Sequence, residues 1–254
     1  MIEFKSVSLK KGGKEILKNV SLRAPDSSVT VIIGKNGSGK TTLLRSLYSS
    51  RDITGEVLVD GAPAKEMSGR ELSRAVSFMP QTLPNPDIRV RELVRLGRTP
   101  FAGAFGALSE ADAEAADRAI ELTGLSSLAD ARIPTLSGGE RQRAFFAMLL
   151  AKDSKTVLLD EPSSSLDAPS RAMLAEFVRA LRADGRCVVL VMHDLSDAVA
   201  LADTVYVMEE GKASLPMTPD EFCESDIPRR VFASSVYKVW TENGERYVFR
   251  PADL

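Results

Sequence analysis

Gly34-Lys35-Asn36-Gly37-Ser38-Gly39-Lys40-Thr41 is the stretch of this 254-residue chain that decides its fold. It matches the pattern G-x-x-x-x-G-K-[ST]. An apolar run at 29–33 precedes it, and a helical pattern at 42–47 follows it. A strand, a glycine-rich turn and a helix in this order are typical of a phosphate-binding loop. A chance match in a chain of this length is roughly a one-in-a-hundred event, so a turn that binds nothing is the weaker interpretation.

The residue types in this loop suit a nucleotide. Glycines let the backbone turn so that several N–H groups point at one anion, and the helix start adds the positive end of its dipole. We expect Lys40 to reach the outer phosphates and the Thr41 hydroxyl to hold Mg²⁺. The loop residues predicted to bind the nucleotide are Gly34, Asn36, Gly37, Ser38, Gly39, Lys40, Thr41 and Thr42.

Composition limits the class of protein. The chain is 44% hydrophobic and 27% charged, which suits one large α/β domain or a core with an inserted subdomain. A net charge of −2 without a basic run argues against nucleic acid as a partner. We expect no signal peptide and no membrane span, because no apolar run approaches about 18 residues. Cys187 and Cys223 lack metal-type spacing and are predicted to be free thiols in a reducing cytosol.

Segments with a β pattern flank the loop on both sides. Alternation at 2–9 and 16–24, with a turn at 11–14, predicts one antiparallel pair, and 55–61 predicts a second hairpin-like unit. Another strand is predicted at 75–79, where Pro80 ends it. We therefore expect a small antiparallel layer beside the loop helix.

The pattern becomes helical between 84 and 135. Helices are predicted at 89–98 and 109–122, and Ser109 with Asp112 forms a start signal for the second. Because almost no β pattern occurs here, we predict an inserted helical subdomain. Four arginines of the first segment are predicted to form a solvated helix face, with phosphate binding as the alternative: Arg89, Arg91, Arg95 and Arg98.

Three more apolar strands follow, at 156–159, 187–192 and 204–208, with helical patterns at 141–151 and 170–183 between them. The first two strands are continuously apolar, which is typical of strands buried on both faces of a parallel sheet. The C-terminal part predicts a helix that starts with Thr218-Pro219-Asp220-Glu221 and a hairpin of 235–240 and 246–248 around Asn243-Gly244.

Polar residues follow the buried strands at the edge where ligands bind in parallel α/β sheets. Gln81 follows 75–79, Asp160 and Glu161 follow 156–159, and His193 follows 187–192. We predict that Asp160 holds Mg²⁺ opposite Thr41 and that Glu161 polarises the attacking water. A pair of surface acids is the alternative.

The remaining polar groups complete the predicted chemistry. His193, the chain's only histidine, is expected to bond to the terminal phosphate or the water, although a lone histidine is more often structural. Gln81 is expected to touch Mg²⁺ or the water. The predicted catalytic residues are Glu161, His193, Gln81 and Lys40, and the predicted metal ligands are Thr41, Gln81 and Asp160.

A second anion site is indicated at Leu136-Ser137-Gly138-Gly139-Glu140, ahead of the helix at 141–151. Ser137 and Glu140 form a capping box, which by itself indicates only a well-capped helix. Two glycines at a helix start, however, leave the backbone N–H groups uncovered, and these groups can bind an anion. Either the two sites converge in one molecule or the second serves a neighbour's nucleotide.

Together these motifs resemble the ATP-binding-cassette (ABC) ATPase family over essentially the whole chain. The motifs in their family order are Walker A at 34–41, the Q-loop Gln81, the signature LSGGE at 136–140 with Arg141-Gln142-Arg143 after it, Walker B at 157–161, the D-loop Ser165-Leu166-Asp167 and the switch His193.

The resemblance implies an α/β fold, with a P-loop NTPase (RecA-like) core, a small antiparallel β layer and an inserted α-helical subdomain. It implies Mg²⁺-dependent hydrolysis of ATP by a head-to-tail homodimer, in which Ser137 and Gly139 of one copy cap the nucleotide of the other. It also adds these residues to the nucleotide site: Ser137, Gly138, Gly139, Glu140 and Asp167. The family's transmembrane permease subunits would be separate polypeptides, with this chain at the cytoplasmic face of the membrane.

A narrower resemblance lies in 90–100 and in the C-terminal extension, which are similar to ATPases of iron–siderophore, haem and cobalamin importers. It implies import of a metal chelate and an extracytoplasmic substrate-binding protein. An exporter subunit, a soluble ABC ATPase and a binding-only module are the alternatives. The implied single nucleotide-binding domain, 1–254, divides into a core (1–82 and 155–212), a helical subdomain (83–154) and an extension (213–254).

One departure from the family concerns the adenine. An aromatic residue usually stacks on the base just before the first turn, but this chain has Lys10-Lys11-Gly12 there. Phe4 is the candidate substitute. We therefore expect loose selectivity between ATP and GTP.

Overall fold

A central sheet of six strands carries the fold of the computed structural model, which describes residues 1–48, 53–103, 106–163, 167–241 and 244–252. Its strand order is β10-β9-β3-β8-β7-β6, and only β10 runs antiparallel to its neighbour. The strands are β3 (Ser28–Gly34), β6 (Val76–Met79), β7 (Thr156–Asp160), β8 (Cys187–Val191), β9 (Thr204–Glu209) and β10 (Lys212–Ala213).

The predicted antiparallel layer is confirmed as a four-stranded sheet in the order β2-β1-β4-β5. Asp60 and Gly61 turn the chain between its last two strands with φ of 49° and 82°, as a tight hairpin turn requires. The strands are β1 (Ile2–Lys11), β2 (Lys14–Ala24), β4 (Ile53–Val59) and β5 (Ala62–Pro63).

Apolar residues cover both faces of the central sheet, as the continuous runs predict. Along β3, Val31 and Ile33 face the helices, whereas Ile32 faces the antiparallel layer. Every residue of β7 and β8 is buried. The sheet is therefore the middle layer of three, and its carboxyl edge is the open side on which the site is built.

Nine α-helices are assigned in the described part of the chain, and α3, α4 and α5 pack together as the predicted helical subdomain. The sequence patterns missed α2, α7 and α9, which have at most seven residues and are too short for a helical period. The helices are α1 (Lys40–Ser46), α2 (Gly69–Ala75), α3 (Val90–Leu96), α4 (Glu110–Leu122), α5 (Gly138–Lys152), α6 (Ala168–Ala183), α7 (Leu195–Leu201), α8 (Pro219–Glu224) and α9 (Ile227–Phe232).

The interpretation of four arginines as one solvated helix face is wrong for Arg98. This residue lies after α3, and its side chain is only 14% exposed because it bridges to Asp112 of α4 at 2.7 Å. It also donates a hydrogen bond to Ala151 O at the end of α5. A single guanidinium thus joins the three helices of the subdomain, whereas Arg89 and Arg91 bridge to exposed Asp130.

This ion pair predicts an acid-sensitive element of stability. Hydrogen bonds from Ser109 and from Arg98 lower the pKa of Asp112 from 3.8 to about 2. Because the folded-state pKa is the lower one, the pair stabilises the fold above pH 3.8, and that stabilisation is lost as the pH falls towards about 2. We expect Asp112→Asn to lower the urea midpoint of unfolding at pH 7. As the pH is lowered, the midpoint of this variant should fall less than that of the wild type.

Asp117→Asn is the matched control, because Asp117 is exposed on the same helix. Its urea midpoint should follow the wild-type curve from neutral to acidic pH. If Asp112→Asn also follows that curve, the ion pair does not carry the acid sensitivity.

The C-terminal extension forms the predicted helix and hairpin. Thr218 and Glu221 make the capping box of α8, and β11 (Ser234–Thr241) pairs with β12 (Gly244–Pro251). The predicted turn residue Asn243 lies outside the described residues. Both cysteines are buried free thiols, and burial raises the pKa of Cys187 to about 11 and of Cys223 to about 12.

Within the described ranges, no helix has the length and apolar character that crossing a bilayer requires.

Candidate nucleotide-binding and hydrolysis site

The glycine-rich loop joins the end of β3 to the start of α1 at the carboxyl edge of the sheet. Gly34 has φ of 157°, and a Cβ there would lie 2.3 Å from Met208 O on the neighbouring strand. Gly39 has φ of 104° directly before the helix. Only glycine meets both demands, because one position lacks space and the other needs left-handed backbone.

Lys40 is folded back over the loop. Its side chain is buried, and Nζ donates to Gly34 O at 2.7 Å and to Lys35 O at 3.1 Å. Burial lowers the pKa of Lys40, while the charges of Glu161 and Asp160 act in the opposite direction. The Ser38 hydroxyl is buried in the same loop without a hydrogen-bond partner. A buried cation and an unpaired hydroxyl in one concave loop fit phosphate oxygens.

Thr41 and Asp160 meet across the edge of the sheet. Thr41 Oγ1 donates to Asp160 Oδ1 at 3.0 Å, and the other carboxylate oxygen of Asp160 is buried without a partner. Burial is the main reason why the pKa of Asp160 is raised. A hydroxyl and a carboxylate with a free oxygen are the hard ligands that Mg²⁺ prefers, so this pair fits the predicted ion.

Glu161 lies between Gln81 and His193. One carboxylate oxygen accepts a hydrogen bond from Gln81 Nε2, and the other contacts His193 Nε2. The backbone of Glu161 has φ of 51°, a strained conformation for a residue with a side chain, and its N–H donates to Val191 O. The sharp turn after β7 therefore directs Glu161 to the side of the P-loop.

Nine of the predicted site residues line one cavity of about 550 Å³. The structure therefore brings the Walker A loop, Walker B, the Q-loop and the switch histidine together, as the strand-end argument predicts. Gly34, Ser38 and Asp160 are not among the lining residues, and the side chains of Ser38 and Asp160 are buried. The predicted residues among those that line the cavity are Asn36, Gly37, Gly39, Lys40, Thr41, Thr42, Gln81, Glu161 and His193.

Four residues of the LSGGE segment, 137–140, line a second, larger cavity of about 960 Å³. Ser137 caps α5, and its hydrogen bonds to Glu140 lower the pKa of that carboxyl. Asp167 also lines this cavity and caps α6, whereas Ser165 and Leu166 of the D-loop are not among the described residues. The signature residues that line the second cavity are Ser137, Gly138, Gly139 and Glu140.

Gln81 is the one predicted site residue that lines both cavities. No signature residue lines the P-loop cavity, so the structure does not bring the two anion sites together within one chain. The helix behind the signature is nevertheless tied to the hydrolytic edge, because Gln142 Nε2 donates to Pro162 O at 2.8 Å, one residue after Glu161.

Lys14 and Ile16 of β2 also line the P-loop cavity. Neither was predicted from the sequence, although they alternate on one face of a strand that precedes the loop. Lys11 does not line the cavity. Phe4 is wrong as a substitute for the missing aromatic residue, because it is 1% exposed within the core of the antiparallel layer.

The sequence also matches a family model. Residues 17–164 match the one described as ABC transporter, and this region covers more than half of the chain. The chain belongs to the ABC transporter family. Its membership confirms the resemblance, the P-loop NTPase fold and the prediction that the chain hydrolyses ATP in a transport system.

Relatives of this ABC ATPase are similar to it in sequence along most of its length. It is 37% identical over 226 residues to the ferric enterobactin transport ATP-binding protein FepC of Escherichia coli. The aligned region covers 87% of this chain and 83% of the relative. It is 32% identical over 232 residues to the hemin import ATP-binding protein HmuV of Rhodococcus jostii. This second aligned region covers 91% of this chain and 79% of the relative.

A solved structure confirms the fold of the ABC ATPase. It is described as an inward-facing conformation of a metal-chelate type ABC transporter, and it superposes with a TM-score of 0.85 at 22% identity. The match covers 99% of this chain and 97% of that one. The superposition therefore includes the C-terminal helices and hairpin as well as the nucleotide-binding core.

Proposed function

We propose that this chain works as a pair of identical subunits that hydrolyse Mg²⁺–ATP to drive import of a metal chelate through a separate permease. The observation that carries the hydrolytic part is the position of Glu161. Its carboxylate contacts both Gln81 and His193 and lines the same cavity as Lys40. A base, a cation and two polar groups around one space suit attack of water on a terminal phosphate.

In this proposal Glu161 accepts the proton of the attacking water, and His193 and Gln81 orient it. Lys40 and the loop N–H groups hold the phosphates and stabilise the charge that develops on them. Thr41 and Asp160 would hold Mg²⁺, with Gln81 as a further ligand. When bound, the ion would neutralise part of the phosphate charge. Catalysis then depends mainly on position and charge.

The two-cavity arrangement supports the pairing of copies. The signature residues Ser137 and Gly139 line a cavity that excludes the P-loop of their own chain. A nucleotide on one P-loop can be covered by the signature residues of a second copy. A pair with two-fold symmetry forms this contact twice. Gly138, Glu140 and Asp167 would border the same nucleotide.

Metal-chelate import is supported by the relatives. A ferric enterobactin transport protein and a hemin import protein resemble this chain over most of their lengths. By analogy, the chain binds permease subunits at the cytoplasmic face of the membrane, and an extracytoplasmic protein delivers the substrate. The siderophore or haem-type ligand is selected by those partners rather than by this chain.

Purification of the intact complex tests the import proposal. We expect a permease to copurify with the tagged chain. In proteoliposomes, we expect a chelate-loaded binding protein on the outside to raise ATP hydrolysis several-fold and to deliver chelate to the lumen. Chelate movement in the opposite direction would identify an exporter, and an absence of any membrane partner would contradict the transport role.

A further inference from the structure

One short stretch of β2 lines the nucleotide cavity together with the predicted phosphate-binding residues. Lys14 and Ile16 both line it, because side chains two apart on a strand point to the same face. Gly37, Gly39 and Thr42 of the loop and its helix line the same cavity. Among the described residues that line this cavity, none is a phenylalanine, tyrosine or tryptophan, and its one aromatic ring is that of His193, which contacts Glu161.

Close contacts and backbone hydrogen bonds at 16–18 hold this part of β2 against the P-loop. A Cβ on Gly39 would lie 3.2 Å from Ile16 O and 3.0 Å from Leu17 Cδ2. Lys18 N donates to Gly211 O at 2.8 Å, and Gly211 N donates to Ser38 O at 3.1 Å. Because these contacts hold the start of β2 beside the loop, we expect Ile16 and Lys14 to be in place before a nucleotide binds.

Lys14 is an exposed cation in the lining of this cavity, and Ile16 is half-buried. No salt bridge involves Lys14 in the part of the chain that the structure describes. Its direct neighbour across the strand pair is another lysine, Lys11. The ammonium is therefore free to meet an electron-rich ligand in this cavity.

We propose that Lys14 and Ile16 hold the base, with the ammonium over the face of the ring and the isoleucine packed against it. The proposal rests on the nucleotide site described above. Both contacts use the ring system that all bases share, and neither reads an exocyclic group. The chain therefore binds ATP and GTP with similar affinity, and Lys14 and Ile16 replace the aromatic stack.

The test is calorimetric binding to the full chain of three Mg²⁺ complexes, those of the imido analogues of ATP and GTP and of inorganic tripolyphosphate. We expect affinities for the two nucleotides within about threefold of each other, since a cation–ring contact does not separate purines. Lys14→Ala should weaken both nucleotides by about threefold to tenfold. It should leave tripolyphosphate unchanged, and Lys11→Ala should alter none of the three.

Two results would overturn the base contact. One is a preference of about thirtyfold or more for either nucleotide, which requires a group that reads exocyclic atoms. The other is an equal loss of tripolyphosphate and nucleotide affinity in Lys14→Ala, which places the ammonium on phosphate. A wrong assignment of the nucleotide site itself would give a different result, because Lys40→Ala would then leave the affinities for all three compounds unchanged.

Discussion

Replacing Glu161 by Gln is expected to reduce ATP turnover by at least about 100-fold, the usual contribution of a positioned general base. Gln keeps the size of the side chain and an oxygen that can face His193. It cannot accept a proton from water, so the bound nucleotide is not consumed. ATP-bound pairs of chains should therefore accumulate, and size-exclusion chromatography with bound-nucleotide analysis measures them.

Glu121→Gln is the matched control for this experiment. Glu121 is exposed on α4 of the helical subdomain, away from both cavities, so the same chemical change there should leave turnover at the wild-type rate. Undiminished turnover in Glu161→Gln would show that another group accepts the proton.

Replacing Lys40 by Ala is expected to weaken Mg²⁺–ATP binding by about 100-fold or more. Nζ already makes two hydrogen bonds to loop carbonyls from a buried position. Hydrogen bonds from a charged donor to phosphate are among the strongest in proteins, so their loss has a large effect. Equilibrium titration with a fluorescent ATP analogue measures the change.

Two further variants make this result specific. Lys40→Met keeps the aliphatic stem but removes the charge, and it should bind as weakly as Lys40→Ala if the charge matters. Lys212→Ala removes an exposed lysine of β10 and should bind ATP normally. Normal binding in both Lys40 variants would contradict the assignment of the P-loop cavity.

Much of the fold was predictable because strand and helix patterns here are long and regular. The continuous apolar runs of β7 and β8 predicted burial on both faces, and the structure confirms it. Short elements were missed, although Ser68 and Glu71 form a capping box that marks the start of α2. The role of Arg98 was not predictable, because its ion pair joins segments that are 14 residues apart.

The phosphate end of the site was predictable because loops after parallel strands meet at one edge. That rule alone places Gln81, Asp160, Glu161 and His193 near Lys40. The base end was not, because Lys14 and Ile16 reach the cavity only through the packing of β2 against the loop. A preceding strand gives no motif that reports such a contact.

In the proposed pair, each nucleotide site combines the P-loop of one copy with the signature of another. Mixing Lys40→Ala with Gly138→Arg tests it most directly. A Cβ on Gly138 meets no atom within 4 Å and Gly138 lines the second cavity, so we expect the arginine to be tolerated by the fold and to obstruct that cavity. Each variant alone should hydrolyse almost no ATP.

A mixed pair of these variants contains one complete site, formed by the P-loop of the Gly138→Arg chain and the signature of the Lys40→Ala chain. In an equal mixture, random pairing predicts recovery of up to about a quarter of wild-type ATPase activity. We expect this recovery when the two variants are mixed. Mixed pairs that form, as shown with two different affinity tags, yet recover no activity would contradict it.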